Sequence, residues 1–182
     1  MNAKITIIIH FLCIPLLWGQ AYNGLTLFSP NQGGPGGTNN HSYLIDNDLN
    51  TIHSWEHQRG AASMPYLLQD STLVYPYRVA NPTMTTGGVG GGISTYNWNG
   101  DLLWYNEIAN EIYQHHHDIQ PLPNGNILVL AWERHPAVQE NGSAYYGGAG
   151  KGWEEMGRSS VENNLNQMWS EAILEVEPVG GD

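Results

Sequence analysis

Two kinds of β-hairpin alternate along this chain, and that alternation constrains the fold more than any other feature of the sequence. The first kind runs from Tyr43-Leu44-Ile45 through Asp46-Asn47-Asp48 into a second strand that ends His53-Ser54-Trp55. Thr95-Tyr96-Asn97-Trp98 and Leu102-Leu103-Trp104 repeat it around Asn99-Gly100, and Ile173-Leu174-Glu175-Val176 opens a third copy that reaches Glu177-Pro178. The second kind lies between them. It reads Tyr66-Leu67-Leu68, then Gln69-Asp70-Ser71, then Thr72-Leu73-Val74-Tyr75; its second copy joins Ile119-Gln120-Pro121 to Ile127-Leu128-Val129-Leu130 through Pro123-Asn124-Gly125-Asn126. Asp, Asn and Gly at these points supply the side-chain hydrogen bonds and the positive φ that tight turns use. One hairpin of each kind makes four strands in roughly 50 residues, the period and strand count of a propeller blade. A β-sandwich accommodates scattered hairpins but gives no reason for two kinds to alternate. The pattern therefore predicts an all-β fold, a β-propeller.

Composition points the same way. With 41% apolar and 13% charged residues, the chain is too apolar to be disordered and too weakly charged for a long exposed helix. Twenty-two glycines, ten prolines and ten tyrosines fit short aromatic strands joined by many turns. Seventeen acidic against six basic residues give a formal charge of −11, a field that repels a phosphate backbone and excludes nucleic acid as a partner. A small anion is still admissible where His and Arg cluster.

Residues 1–21 read as an export signal rather than as fold. Lys4 is the positive start, the stretch from Ile5 to Leu17 is almost wholly apolar, and Gly19 and Ala21 form a small-x-small cleavage site. An apolar run of about 14 residues is too short to span a bilayer, and no other segment is a candidate span. Cys13, the sole cysteine, lies in this segment, so residues 22–182 are cysteine-free. A periplasmic or secreted protein without a disulfide framework is expected.

Two segments interrupt the hairpins. The run Thr86-Gly87-Gly88-Val89-Gly90-Gly91-Gly92-Ile93 lacks both the G-x-G-x-x-G spacing and the Lys-Ser/Thr of a phosphate loop, so it predicts closely approached backbone near a propeller axis. From Val138 to Ser170 the sequence turns rich in Gly, Asn and Glu, an excursion between strands with a short helix expected within 153–165.

The densest chemical feature is Gln114-His115-His116-His117-Asp118. In a regular strand His115 and His117 face one way and His116 the other. Imidazoles so placed can bind a metal, hold an oxyanion or take part in proton and group transfer, and Asp118 can fix a tautomer. No second cluster with metal-ligand spacing accompanies them, so no metal is predicted. Each histidine taken alone reads equally as a loop residue bonded to backbone. Arg134, in Trp132-Glu133-Arg134-His135, is one of the few cations; its guanidinium suits a sulfate or carboxylate, or forms a surface salt bridge with Glu133 or another of the many carboxylates. His41, His53 and His57 read as structural or exposed, and Trp55, Trp98 and Trp104 as packing residues.

At these residues the sequence resembles the arylsulfotransferase (aryl-sulfate sulfotransferase) family. The similar stretches are Asn23-Gly24-Leu25-Thr26-Leu27-Phe28, Tyr43-Leu44-Ile45-Asp46 with His53-Ser54-Trp55, and the glycine run through Tyr96-Asn97-Trp98-Asn99-Gly100. They continue with His116-His117-Asp118-Ile119, Leu122-Pro123-Asn124-Gly125-Asn126, Ala131-Trp132-Glu133-Arg134 and Met168-Trp169-Ser170-Glu171. The resemblance implies a six-bladed propeller, of which this chain covers roughly the first three blades. It also implies transfer of a sulfuryl group from an aryl sulfate ester to a phenolic acceptor, without a nucleotide sulfate donor or other cofactor. A histidine takes up the sulfuryl group transiently in that family. His116 and His117 match its first pocket histidines, in oxyanion binding or acid/base support, with Arg134 and Asp118 at the substrate. The later histidines, including the expected nucleophile, are missing, so a fragment inactive on its own is expected. A non-catalytic secreted propeller that binds glycan or protein partners is the competing reading, and a quinone-dependent dehydrogenase a weaker one.

Overall fold

The computed structural model describes residues 22–30, 40–136 and 167–179. The export signal and the helix expected within 153–165 lie outside the described residues. Among the described residues there are ten strands and no helix: β1 (Thr26–Phe28), β2 (His41–Ile45), β3 (Thr51–Glu56), β4 (Tyr66–Leu67), β5 (Leu73–Arg78), β6 (Gly91–Tyr96), β7 (Leu102–Glu107), β8 (Tyr113–Pro121), β9 (Ile127–Pro136) and β10 (Gln167–Val176). The fold is all-β, as the hairpin pattern predicts.

All four tight hairpins close on one turn. The amide of the first turn residue donates to the carbonyl four residues on, and the amide three residues on donates back. The bonds are Asp46 N to Asn50 O at 3.1 Å, Leu68 N to Thr72 O at 2.8 Å, Asn97 N to Asp101 O at 3.0 Å and Leu122 N to Asn126 O at 2.8 Å. The fourth position is left-handed in every case: Leu49 at φ 64°, Ser71 at 69°, Gly100 at 89° and Gly125 at 91°. This is a three-residue loop ending in an αL residue, not a two-residue Asn-Gly turn.

The two hairpin kinds differ in which side chain braces that turn. In the first kind the opening residue does so: Asp46 Oδ1 accepts from the Asn50 amide and Asn97 Oδ1 from the Asp101 amide, at 2.8 and 2.9 Å. In the second kind the middle residue does so, with Asp70 Oδ1 accepting from the Thr72 amide and Asn124 Oδ1 from the Asn126 amide, at 3.0 and 3.1 Å. The first kind also carries a register shift one step beyond the turn, at Leu44/Ile45 and at Thr95/Tyr96.

The strands form three antiparallel sheets, each ordered as the chain runs: β1-β2-β3, β4-β5-β6-β7 and β8-β9-β10. The one four-stranded sheet begins with a hairpin of the second kind, as does the third sheet, one hairpin out of phase with the grouping read from the sequence. The third sheet takes β10 beside β9 over Gln167 to Val176, so the last residues assigned to the excursion, 167–170, are strand.

The second sheet is the middle layer. On one of its faces, Leu73, Tyr75 and Tyr77 of β5 pack with Leu44 and Trp55 of the first sheet. On the other, Val74 and Ile93 pack with Ile119, Ile127 and Val129 of the third. This is why Leu73-Val74-Tyr75-Pro76-Tyr77 is continuously buried instead of alternating: both faces of β5 are covered. Trp55 is 1% exposed, and its indole N–H donates to Asn97 O at 3.0 Å, which satisfies the one polar atom of a large buried ring.

Candidate functional site

The histidine cluster sits on an irregularity in β8. Between His115 and Ile119, β8 makes four steps while β9 makes two, from Ala131 to Val129, and His117 adopts φ 54°. The alternation expected for a regular strand therefore fails. His115 is separated from its neighbours, while His116 and His117 are brought ring to ring, with Nδ1 atoms 2.8 Å apart.

The glycine run is what makes room for this. Val89 bridges to His116, the Gly90 amide donates to His115 O at 3.1 Å, and the His117 amide donates to Gly88 O at 2.8 Å. Gly88 has φ 81°, and a Cβ there would overlap the His117 imidazole. A Cβ on Gly90 would lie 2.7 Å from the His115 ring. The backbone is thus at close quarters, as the sequence predicts, and the groups it meets are the histidines themselves.

His115 is a fixture. It is fully buried, and its Nδ1 accepts the Gly91 amide at 2.9 Å, which leaves the ring proton on Nε2. Burial, with the neighbouring His116 and His117 adding to it, pushes its pKa down to about 4, so the ring is neutral at pH 7.

His116 is also buried, 2% exposed, and lies flat on Trp132 with centroids 4.1 Å apart and planes at 15°. Its Nε2 is 2.9 Å from Glu171 Oε2. The carboxylate oxygen sits off the ring N–H direction, so this contact is electrostatic more than a directed hydrogen bond. Burial lowers the His116 pKa, and Glu171 works against that. A neutral His116 best meets Glu171 with its proton on Nε2, leaving Nδ1 to accept from His117 Nδ1–H. His117, which is exposed, then presents an unprotonated Nε2 beside Gly88.

Arg134 leaves β9 on the same face as Trp132, opposite Trp169 of β10. The Arg134–Glu133 pairing read from the sequence does not form, and among the described residues no ion pair engages this guanidinium. Asp118 is exposed; its Oδ1 accepts from the Ile119 amide at 2.9 Å and from Tyr66 Oη at 3.4 Å, not from an imidazole. The site thus gathers His116, His117 and Gly88 with Trp132 and Glu171. Glu171 carried no assigned role in the sequence, because only the β9–β10 pairing, across a segment of about thirty residues, sets it opposite Trp132. Among the described residues no group of His, Cys, Asp and Glu is arranged to hold a metal ion.

Three further histidines among the described residues are structural. His57 Nε2 bonds Ser42 Oγ at 2.8 Å within the first sheet, and His53 Nε2 meets Trp98 O of the second sheet's turn at 2.7 Å. His135 Nε2 meets Ser170 Oγ at 2.7 Å, on the face of the third sheet opposite Trp132. No described helix is long and apolar enough to cross a membrane. The chain matches no protein-family model, and no curated protein matches it significantly.

Proposed function

We propose that the chain belongs to an exported β-propeller of the arylsulfotransferase kind, and that the His116–His117 pair serves its sulfuryl-transfer pocket. Support for the propeller comes from three consecutive antiparallel sheets, ordered as the chain runs and stacked face to face. The observation that carries the function is the ring-to-ring contact of His116 and His117, with Glu171 behind it and a glycine strand in front.

In the transfer, the aryl oxygen–sulfur bond breaks as sulfur bonds to a nucleophilic histidine contributed by the rest of the full-length protein, and that nitrogen–sulfur bond breaks in turn as sulfur bonds to the acceptor phenol. The phenol loses a proton and the departing aryl oxide gains one. His117 Nε2 is suited to take the acceptor proton and return it to the leaving group, while His116 and Glu171 steady the charge that develops on the pair. Arg134 offers a planar donor fork for the sulfuryl oxygens. Positioning and charge neutralisation supply most of the rate, as in phosphoryl transfer. Neither role calls for a nucleotide.

The test is 4-nitrophenol release from 4-nitrophenyl sulfate by the full-length protein, beside a His116→Ala/His117→Ala variant. Release that depends on phenol and collapses in the variant supports both reaction and residues. Release that survives the double substitution discards the residues, and a folded protein with no release discards the reaction.

A further inference from the structure

We infer that a second site exists between the first and second sheets, and that it takes a neutral carbohydrate. A cleft of about 510 Å³ opens there, within the range of small-molecule pockets. Its floor is the face of the second sheet that looks toward the first, with Tyr75, Tyr77, Tyr96 and Tyr105 side by side. Glu56 and Arg59, which follow from β3, line it together with Glu107 of β7. No histidine lines it, so it is separate from the site described above and does not depend on sulfuryl transfer.

The lining selects the class of ligand. Tyr75 Oη donates to Arg59 O at 2.8 Å and Tyr77 Oη to Glu107 Oε1 at 3.2 Å, so these two buried phenols are tied down and brace the lining beneath the open ring. Burial raises the pKa of both, which keeps them neutral. Tyr105, 62% exposed, is the open ring. An anion placed here meets two carboxylates, and a cation meets the guanidinium. A polyhydroxylated neutral ring uses all of them: its hydroxyls donate to Glu56 and Glu107 and accept from Arg59. Its C–H face lies against a tyrosine ring.

Calorimetric titration of the protein with cellobiose, maltose and lactose tests this, with phenyltrimethylammonium and benzoate as charged comparisons. The expected result is saturable binding of at least one sugar, weakened about tenfold or more by Tyr105→Ala and by Glu56→Gln. Both residues are exposed, and circular dichroism checks that the variants fold. His117→Ala leaves the sugar affinity unchanged. Absence of sugar binding, sugar binding indifferent to both variants, or saturable binding of the charged probes alone overturns the assignment.

Discussion

The imidazole of His57 lies flat on the ring of Tyr75, with centroids 3.6 Å apart and planes at 11°. This contact joins the first sheet to the second. Burial, with a smaller contribution from His41, pushes the His57 pKa down to about 3. The unfolded chain binds this proton near pH 6.5 and the folded chain does not, so stability falls as pH drops from about 6.5 toward 3. His115, lowered to about 4, adds to the same loss over an overlapping window. Urea denaturation at pH 7 and pH 5 is expected to show the decline, on the order of 1.4 kcal/mol per pH unit for each fully titrating ring. A His57→Gln variant should lose part of that dependence; an unchanged slope removes His57 as its source.

Leu49 holds the position that Gly100 holds in the equivalent turn, yet it must adopt φ 64° with a side chain. It is 77% exposed, so nothing compensates for the strain. Leu49→Gly is expected to raise stability by about 0.5–1 kcal/mol, read as a shift in urea midpoint. A loss of stability would mean that the leucine makes contacts that outweigh its backbone.

Gly88 lies beneath His117. Gly88→Ala should drive the His117 ring from its place and lower phenol-dependent nitrophenol release by about tenfold or more. The fold should survive at a cost of about 1–2 kcal/mol for an alanine at φ 81°. Full activity in this variant would separate His117 from the chemistry.

Glu171 holds His116 toward its protonated form against the effect of burial. Glu171→Gln is therefore expected to shift the acid limb of the activity profile to lower pH and to reduce the rate about tenfold. Because Glu171 is 65% exposed at its side chain, the stability of the variant should match the parent. A profile that does not move would make the carboxylate a bystander.

Much of the fold was legible because the turns announce themselves. Asp46, Asp70, Asn97 and Asn124 mark the four hairpins, since only a short polar side chain can bond the amide that each turn leaves open. How hairpins group into sheets was not legible, because that depends on β5 pairing with β6 across the loop of the glycine run. The repeat also misled at one point. Trp55 and Trp104 look equivalent in sequence, but Trp55 stands opposite Ser42 and packs toward the second sheet's tyrosines. Trp104 stands opposite Thr95 and packs toward the third sheet. Within the site, the three histidines were conspicuous, but their orientation was not. A left-handed His117 is a tertiary outcome, imposed where the strand meets Gly88, and period-two reasoning cannot anticipate it.

A middle layer covered on both faces gives the molecule an order of opening. Amide protons of Leu73, Val74 and Tyr75 sit where neither flanking sheet can leave without exposing a core, so they should be the last to exchange with deuterium. His116 and His117 belong to the third sheet but hang on the glycine strand that leads into the second. A ligand held by that pair would slow exchange at Gly90 and Gly91, whose amides bond to His115, far along the chain from β10. Strengthening at one seam would then register as protection on the other side of it.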